Sequence, residues 1–259
     1  MTSRLHATVD GPAHAPVLVL GSSLGTTGAM WQPQVAALAE RFRVVRYDHL
    51  GHGRSAVPSG TYTIARLGRE VLALLDDLGV RRASYAGLSL GGMVGMWLAT
   101  HAPERVDRLA LLCTSAALGP AGQWRQRAAT VRAGGVESVA DAVVARWFTA
   151  GFAATHPEVV AAHRAALTAT HAEGYAGCCE AIAAMDLRAD LARVTAPTLV
   201  VAGLDDPATP PDHARAIVAR IPRARLAVLT PAAHLANVEQ PEPVGRMLLE
   251  HLWEGTVER

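Results

Sequence analysis

Short, continuous apolar runs recur along the chain, separated by polar stretches and by segments with helical periodicity. Runs of this kind are typical of strands buried on both faces of a parallel sheet. Apolar residues between positions 64 and 78 recur at helical spacing, which predicts an amphipathic helix ending at Gly79. The alternation predicts an α/β fold, a mostly parallel sheet with helices on both faces. The predicted strands span residues 17–20, 44–47, 83–86, 109–113, 198–202 and 226–229.

One long segment interrupts this alternation. Residues 119–190 lack a clear strand pattern, are rich in alanine, and contain predicted helical stretches at 124–132, 139–147 and 158–170. We interpret the segment as a helical cap inserted over the carboxyl edge of the sheet, with residues 1–118 and 191–259 forming the core. A cap excludes water and contacts substrate, so we expect specificity to reside there.

A G-x-S-x-G sequence with Ser89 at its centre stands where predicted strand 83–86 gives way to an apolar, helix-like run. A nucleophilic serine on a strained strand-to-helix turn requires such spacing, because flanking glycines remove the Cβ atoms that would clash there. A pattern this short also occurs by chance, so the assignment of Ser89 depends on whether the chain also provides an acid and a base for it. The alternative is that Ser89 only caps the following helix.

An acid and a base for that serine are present in the order Ser, Asp, His. Asp205 and Asp206 follow strand 198–202, and His234 lies in the loop after strand 226–229. Because the carboxyl ends of parallel strands meet at one edge, we expect these groups to converge with Ser89. Strand 109–113 is followed by Thr114 and Ser115, so the other acid position is empty.

Segments 16–31, 47–55, 87–91, 197–210 and 233–241 together resemble the α/β-hydrolase superfamily over essentially the whole chain. In that family a G-x-x-D spacing marks the acid; counted from Gly203 it favours Asp206 and leaves Asp205 as a solvated neighbour. The sequences of segments 20–31, 86–93, 146–149 and 232–237 resemble those of the 3-oxoadipate enol-lactonases. This resemblance implies hydrolysis of the enol-lactone of the β-ketoadipate pathway, used in bacterial aromatic-acid degradation.

The resemblance also implies an oxyanion hole. By alignment its backbone donors are the N–H groups of Leu24 and Leu90, with Ser23 the neighbouring alternative for the first donor. Many relatives carry His-Gly where this chain has Ser22 and Ser23, which matters little because backbone groups are the donors. Residues 22–27 could instead be only a polar turn before a helix at Trp31.

The implied substrate carries a carboxylate, which a nearly neutral protein must bind through a local cation. We expect Arg146 to fill this role, with Trp147 and Trp124 as further substrate contacts in the cap. The rival cations are Arg125, Arg127 and Arg132, and any of the four arginines could instead be solvated.

Composition limits the other classes of function. The chain has 259 residues, is 50% hydrophobic and carries a formal charge of +1, which suits one α/β domain and disfavours nucleic-acid or membrane-surface partners. It lacks a membrane-length apolar run and a secretory signal, so we expect a cytoplasmic protein. The expected partner is a small anionic lactone.

No metal or cofactor motif is evident. The turn at 48–55, which contains His49 and His52, is interpreted as structural rather than as a metal or phosphate site, and no cofactor is expected. The cysteines at 113, 178 and 179 are interpreted as reduced core residues. Alternative functions are a carbon–carbon bond hydrolase of ring-cleavage products, a general carboxylesterase, and a lactone-binding sensor with little turnover.

Overall fold

A computed structural model describes residues 4–253 and contains a seven-stranded sheet in the order β1-β3-β2-β4-β5-β6-β7. β1 runs antiparallel to β3, and the other neighbouring strands are parallel. The strands are β1 (Ala7–Asp10), β2 (Val17–Gly21), β3 (Arg43–Tyr47), β4 (Ala83–Leu88), β5 (Val106–Leu112), β6 (Thr198–Gly203) and β7 (Ala224–Leu229).

Helices connect the strands as expected for parallel pairing. They are α1 (Gln32–Ala39), α2 (Ile64–Asp77), α3 (Leu90–His101), α4 (Ala121–Gly134), α5 (Ala140–Val144), α6 (Ala150–Thr155), α7 (Pro157–Thr168), α8 (Ala172–Ala183), α9 (Pro211–Val218), α10 (Ala236–Glu239) and α11 (Pro241–Trp253). Within the described residues, none of these helices has the length and apolarity needed to cross a membrane.

The predicted α/β class with a mostly parallel sheet is confirmed, and all six predicted strands occur. The sequence pattern missed β1, because this antiparallel edge strand is largely exposed and carries Val9 at 44% exposure. β5 begins at Val106, ahead of the predicted start at residue 109. Helix α2 ends as predicted, with Gly79 following at φ +67°, a conformation that suits glycine.

The segment between β5 and β6 contains helices α4 to α8 and no strand. Two of these helices were not predicted. α6 is short, and α8 is rich in small residues, contains Gly174 and Gly177, and is buried along most of its length, so neither shows an amphipathic pattern. α8 docks on the turn after β3 through a close contact between Gly174 and Gly51, whose facing sides have no room for a Cβ atom.

Helix α3 is buried from Leu90 to Thr100. It packs against β4, β5 and α2, which explains its apolar character on all sides. The amino-terminal end of α3 is therefore fixed at the carboxyl end of the central strand β4. Ser89 lies at this junction.

Candidate active site

Ser89 occupies a sharp turn between β4 and α3. Its backbone has φ 55° and ψ −114°, a conformation that is strained for a residue with a side chain. A Cβ at Gly87 would lie 2.3 Å from the Gly91 carbonyl, and one at Gly91 would lie 2.3 Å from the Gly21 oxygen. Glycine is thus required on both sides of the serine, which is the physical basis of the sequence pattern.

Hydrogen bonds hold the backbone of this turn and leave the serine side chain uncommitted. Ser89 N–H donates to Leu112 O at 2.9 Å, and Thr114 Oγ1 donates to Ser89 O at 2.7 Å. The Ser89 hydroxyl makes no capping hydrogen bond to α3 and faces a cavity. This arrangement argues against the alternative in which Ser89 only caps the helix.

The loops after β6 and β7 bring Asp206 and His234 together at the same edge of the sheet. His234 Nδ1 lies 2.9 Å from Asp206 Oδ2, and both side chains are buried. The Asp206 carboxylate also accepts from the N–H groups of Ala208 and Thr209 at 2.8 and 3.0 Å and from Thr209 Oγ1 at 2.7 Å. His234 and Ser89 line one cavity.

These contacts keep the Asp206 carboxylate ionised. Burial by itself would raise the pKa of Asp206, but the charge and hydrogen bond of His234 and the hydrogen bonds from Thr209 lower the pKa below its ordinary value. Because the carboxylate occupies Nδ1, Nε2 is the ring nitrogen left to take up and release a proton.

Asp205 has a different position. Its side chain is exposed, and Asp205 Oδ2 accepts from Ala232 N–H at 3.3 Å while Asp205 N–H donates to Ala232 O at 2.9 Å. Asp205 therefore supports the loop before His234 and does not contact the imidazole.

In the loop after β2, which contributes to the lining of the same cavity as Ser89, one backbone amide has no acceptor among the described residues. Ser23 N–H donates to Met30 Sδ at 3.3 Å, and Gly25 N–H donates to His52 Nε2 at 2.9 Å. Between them, Leu24 N–H has no hydrogen-bond acceptor in residues 4–253. Leu90 is the first residue of α3, where helical N–H groups lack an intrahelical partner. The two predicted donors thus remain available, and the Ser23 amide does not.

The turn after β3 fixes this loop, a role that the sequence interpretation did not identify. His49 Nε2 donates to Ser22 O at 2.9 Å; His52 accepts from Gly25, so its Nδ1 donates to Leu50 O at 3.1 Å. Burial lowers the pKa of His49 to about 3 and also lowers that of His52. Both imidazoles are neutral, and their hydrogen bonds hold the loop after β2 in place.

A cavity of about 220 Å³ opens from Ser89 and His234 toward α4 and the segment after α5. Trp124, Trp147 and Arg146 line it, at the positions predicted to contact substrate. Its remaining lining residues are Ser23, Leu24, Leu118, Gly119, Gln123, Arg127, Val143, Tyr175, Pro207, Ala208 and Thr209.

The structure separates the four rival arginines. Arg127 and Arg146 line the cavity. Arg132 is exposed, pairs with Glu173 and Glu180 of α8 and lies outside the cavity lining. Arg125 is exposed and lies outside the cavity lining.

Arg127 and Arg146 face the cavity without a carboxylate partner in the described part of the chain. Burial and the charge of Arg127 lower the pKa of Arg146, and the Arg127 guanidinium lies 4.5 Å from the centre of the Trp124 ring. The fully buried Tyr175 hydroxyl, absent from the sequence prediction, lies near Arg127, and no group among the described residues meets it with full hydrogen-bond geometry. This part of the cavity lining therefore favours an anion.

Hydrolases of the α/β class carry a strained serine, an aspartate and a histidine, in this chain order, at the carboxyl ends of their strands. This chain has the same arrangement. Residues 16–241 match the family of the alpha/beta hydrolase fold, and the chain belongs to that family.

Individual relatives indicate which kinds of hydrolase this chain is similar to. 3-Oxoadipate enol-lactonase 2 of Acinetobacter baylyi is 43% identical over 92% of this chain and 89% of the relative. A candidate carbamate hydrolase of Stutzerimonas stutzeri is 34% identical over 98% and 97%. The solved structure of an enol-lactonase from Burkholderia xenovorans is 43% identical, covers 96% of each chain and has a TM-score of 0.94. The protein is thus an enzyme of the esterase and lactonase kind.

Proposed function

We propose that this enzyme opens the ring of 3-oxoadipate enol-lactone to give 3-oxoadipate, in the degradation of aromatic acids in the cytoplasm. The observation that supports this most strongly is a single cavity that joins Ser89 and His234 to two arginines with no carboxylate partner among residues 4–253. Ser89 and His234 suit attack on an ester carbonyl, and the two arginines suit the carboxylate that distinguishes this lactone from neutral esters. The likeness to enol-lactonases supports the same substrate.

In the proposed reaction, Ser89 Oγ attacks the lactone carbonyl while His234 Nε2 takes the hydroxyl proton. Asp206 holds the imidazole through Nδ1 and stabilises its charged form. The oxyanion accepts hydrogen bonds from the N–H groups of Leu24 and Leu90. These donors are already oriented, because the loop and the helix end are held by the core.

Collapse of the tetrahedral intermediate breaks the ring carbon–oxygen bond. The leaving group is an enol oxygen, which receives the proton from His234, and the free enol then tautomerises to the ketone. Water attacks the acyl-enzyme with His234 as base, and Ser89 recovers its proton. Both steps use the same groups and need no further reactant.

Arg146 and Arg127 are proposed to bind the substrate carboxylate, with the Tyr175 hydroxyl as a further donor. All three line the same cavity as the nucleophile, whereas the other two arginines considered lie outside it. A second candidate substrate class is a carbamate, favoured by the relative in Stutzerimonas stutzeri. It uses the same attack on a carbonyl, so the acyl-transfer residues alone do not distinguish it.

The deciding experiment assays freshly generated 3-oxoadipate enol-lactone beside a ring-cleavage dienoate, a carbamate and a neutral chromogenic ester. We expect the enol-lactone to have the highest kcat/KM. A higher value for the dienoate or the carbamate would assign the enzyme to that class instead. Binding of the lactone with little turnover, together with an inactive chromogenic ester, would indicate a sensor.

Ser89→Ala is the matched control for every substrate. It should lose nearly all turnover and all labelling by a fluorophosphonate while remaining folded, because the hydroxyl faces a cavity and contributes little packing. Retention of more than about a hundredth of the rate would contradict the assignment of Ser89, since loss of an essential nucleophile costs far more.

A further inference from the structure

The loop that carries His234 is hydrogen-bonded, at the residue after the histidine, to the helical segment between β5 and β6, which contains helices α4 to α8. Leu235 N–H, directly after the histidine, donates to Trp147 O at 2.9 Å. Trp147 also lines the cavity. One residue of the helical segment therefore faces the substrate space and holds the chain next to the base.

A second tie lies on the other side of the imidazole and runs through Glu239. Ala233 N–H, directly before the histidine, donates to Glu239 Oε2. The other carboxylate oxygen, Oε1, accepts from Thr149 N–H at 2.7 Å and from Thr149 Oγ1 at 2.8 Å. Glu239 thus bridges the histidine loop to a residue two places beyond Trp147.

The donors around Glu239 require a carboxylate. Three N–H or O–H groups point at its two oxygens, and no cation pairs with it among residues 4–253. A glutamine at this position would replace one oxygen with an NH₂ group and place two donors opposite each other. It would keep the bonds on one side of the bridge and set its NH₂ group against a backbone N–H donor on the other.

We propose that Glu239 is a positioning residue that couples the helical segment to the catalytic base. The bond from His234 to Asp206 fixes the direction of the imidazole only if the backbone at 233–235 is held. Since residues 147 and 149 provide two of its anchors, a substrate that presses on Trp147 also acts on the frame that holds the base. The inference rests on the proposed role of His234, but it does not depend on which lactone or ester is the substrate.

The test compares Glu239→Gln with Glu242→Gln, an exposed neighbour, on a neutral chromogenic ester. Small displacements of a catalytic group cost large factors in rate, so Glu239→Gln should lower kcat about tenfold or more and change KM less than about twofold. The rate of fluorophosphonate labelling should fall in the same proportion. Glu242→Gln should match the native enzyme.

A spectroscopic measurement separates positioning from a general loss of structure. The low-field proton resonance of the hydrogen bond between His234 Nδ1 and Asp206 should shift or broaden in Glu239→Gln, but not in Glu242→Gln. An unchanged kcat would overturn the proposal, as would a lower kcat with an unchanged resonance or an effect confined to KM.

Thr149 provides a second test if Glu239→Gln fails to fold. Thr149→Ser keeps the hydroxyl and should retain the native kcat. Thr149→Val loses the hydroxyl and should show part of the fall in kcat expected for Glu239→Gln. Equal activity of the two Thr149 variants would also overturn the coupling. If fluorophosphonate fails to label even the native enzyme, the proposed serine chemistry is at fault instead, so the two failures are distinguishable.

Discussion

Asp205 and Asp206 are adjacent in sequence but have opposite surroundings. Asp206 is buried and bonded to His234, whereas Asp205 is exposed and bonded to the backbone of Ala232. We expect Asp206→Asn to lower kcat by roughly 10³- to 10⁴-fold, because an amide disturbs the imidazole tautomer. Asp205→Asn should be mild. Steady-state kinetics of both variants on one ester is the measurement, and comparable losses in both would contradict the assignment.

The two arginines that line the cavity make a separate prediction. A charge-assisted hydrogen bond contributes roughly 1.5–3 kcal/mol, so Arg146→Ala and Arg127→Ala should each lower kcat/KM for the enol-lactone about ten- to a hundredfold. A neutral activated ester should change little. The ratio of the two substrates removes any general damage to the fold from the comparison.

Arg125→Ala is the control for this pair, since Arg125 lies on the same helix as Arg127 but outside the cavity. Its substrate ratio should equal that of the native enzyme. Equal losses on both substrates in Arg146→Ala and Arg127→Ala would make these arginines structural. No loss on either substrate would place the carboxylate elsewhere or exclude the enol-lactone.

At the scale of elements, the contact between α8 and the turn after β3 sets the position of Tyr175. An added Cβ at Gly174 would lie 2.2 Å from Gly51 Cα, so Gly174→Ala must displace α8. We expect a loss of about 1–3 kcal/mol in the free energy of unfolding and a higher KM for the enol-lactone. Urea unfolding and steady-state kinetics check these two effects.

Gly122→Ala in α4 is the matched substitution, because nothing lies within 4 Å of a Cβ there. It should leave both the stability and the KM near native values. If Gly174→Ala also leaves both unchanged, α8 can be displaced without consequence and the close glycine contact does not position the cavity wall.

Short-range patterns made much of the fold predictable, together with the meeting of Asp206 and His234 at one edge of the sheet. The glycines around Ser89 and the strand before it are local in sequence, and Asp206 and His234 follow strands whose ends must share one edge. The pairing of Arg132 with α8, the inward position of Arg127 and the buried Tyr175 hydroxyl were not predictable. They depend on how helices of one segment pack against each other, and an arginine-rich helix shows no sign of which side is covered.

At the scale of the whole molecule, neutral buried histidines link stability to pH. Burial lowers the pKa of His49 from 6.5 to about 3. Between these values the unfolded chain binds a proton at His49 that the folded protein does not, so stability falls as the pH is lowered through this range. One such proton corresponds to about 1.4 kcal/mol per pH unit.

His49→Gln keeps an N–H donor for Ser22 O and removes this titration. Its unfolding free energy, measured by urea titration between about pH 6 and 4, should depend less steeply on pH than that of the native protein, by up to ~1.4 kcal/mol per pH unit. The remaining slope comes in part from His52 and His251, whose pKa values burial also lowers. Identical slopes would show that His49 is protonated in the folded protein.

The bond from Leu235 to Trp147 uses a main-chain oxygen, and this has a consequence for how such enzymes diversify. Every residue type carries that oxygen, so exchange of the side chain at position 147 would not remove the acceptor of this bond. Such an exchange reshapes the space offered to a ligand while the chain beside the base keeps its anchor. In this one residue, the side chain shapes the space for the substrate, and the main-chain oxygen holds the chain beside the catalytic base.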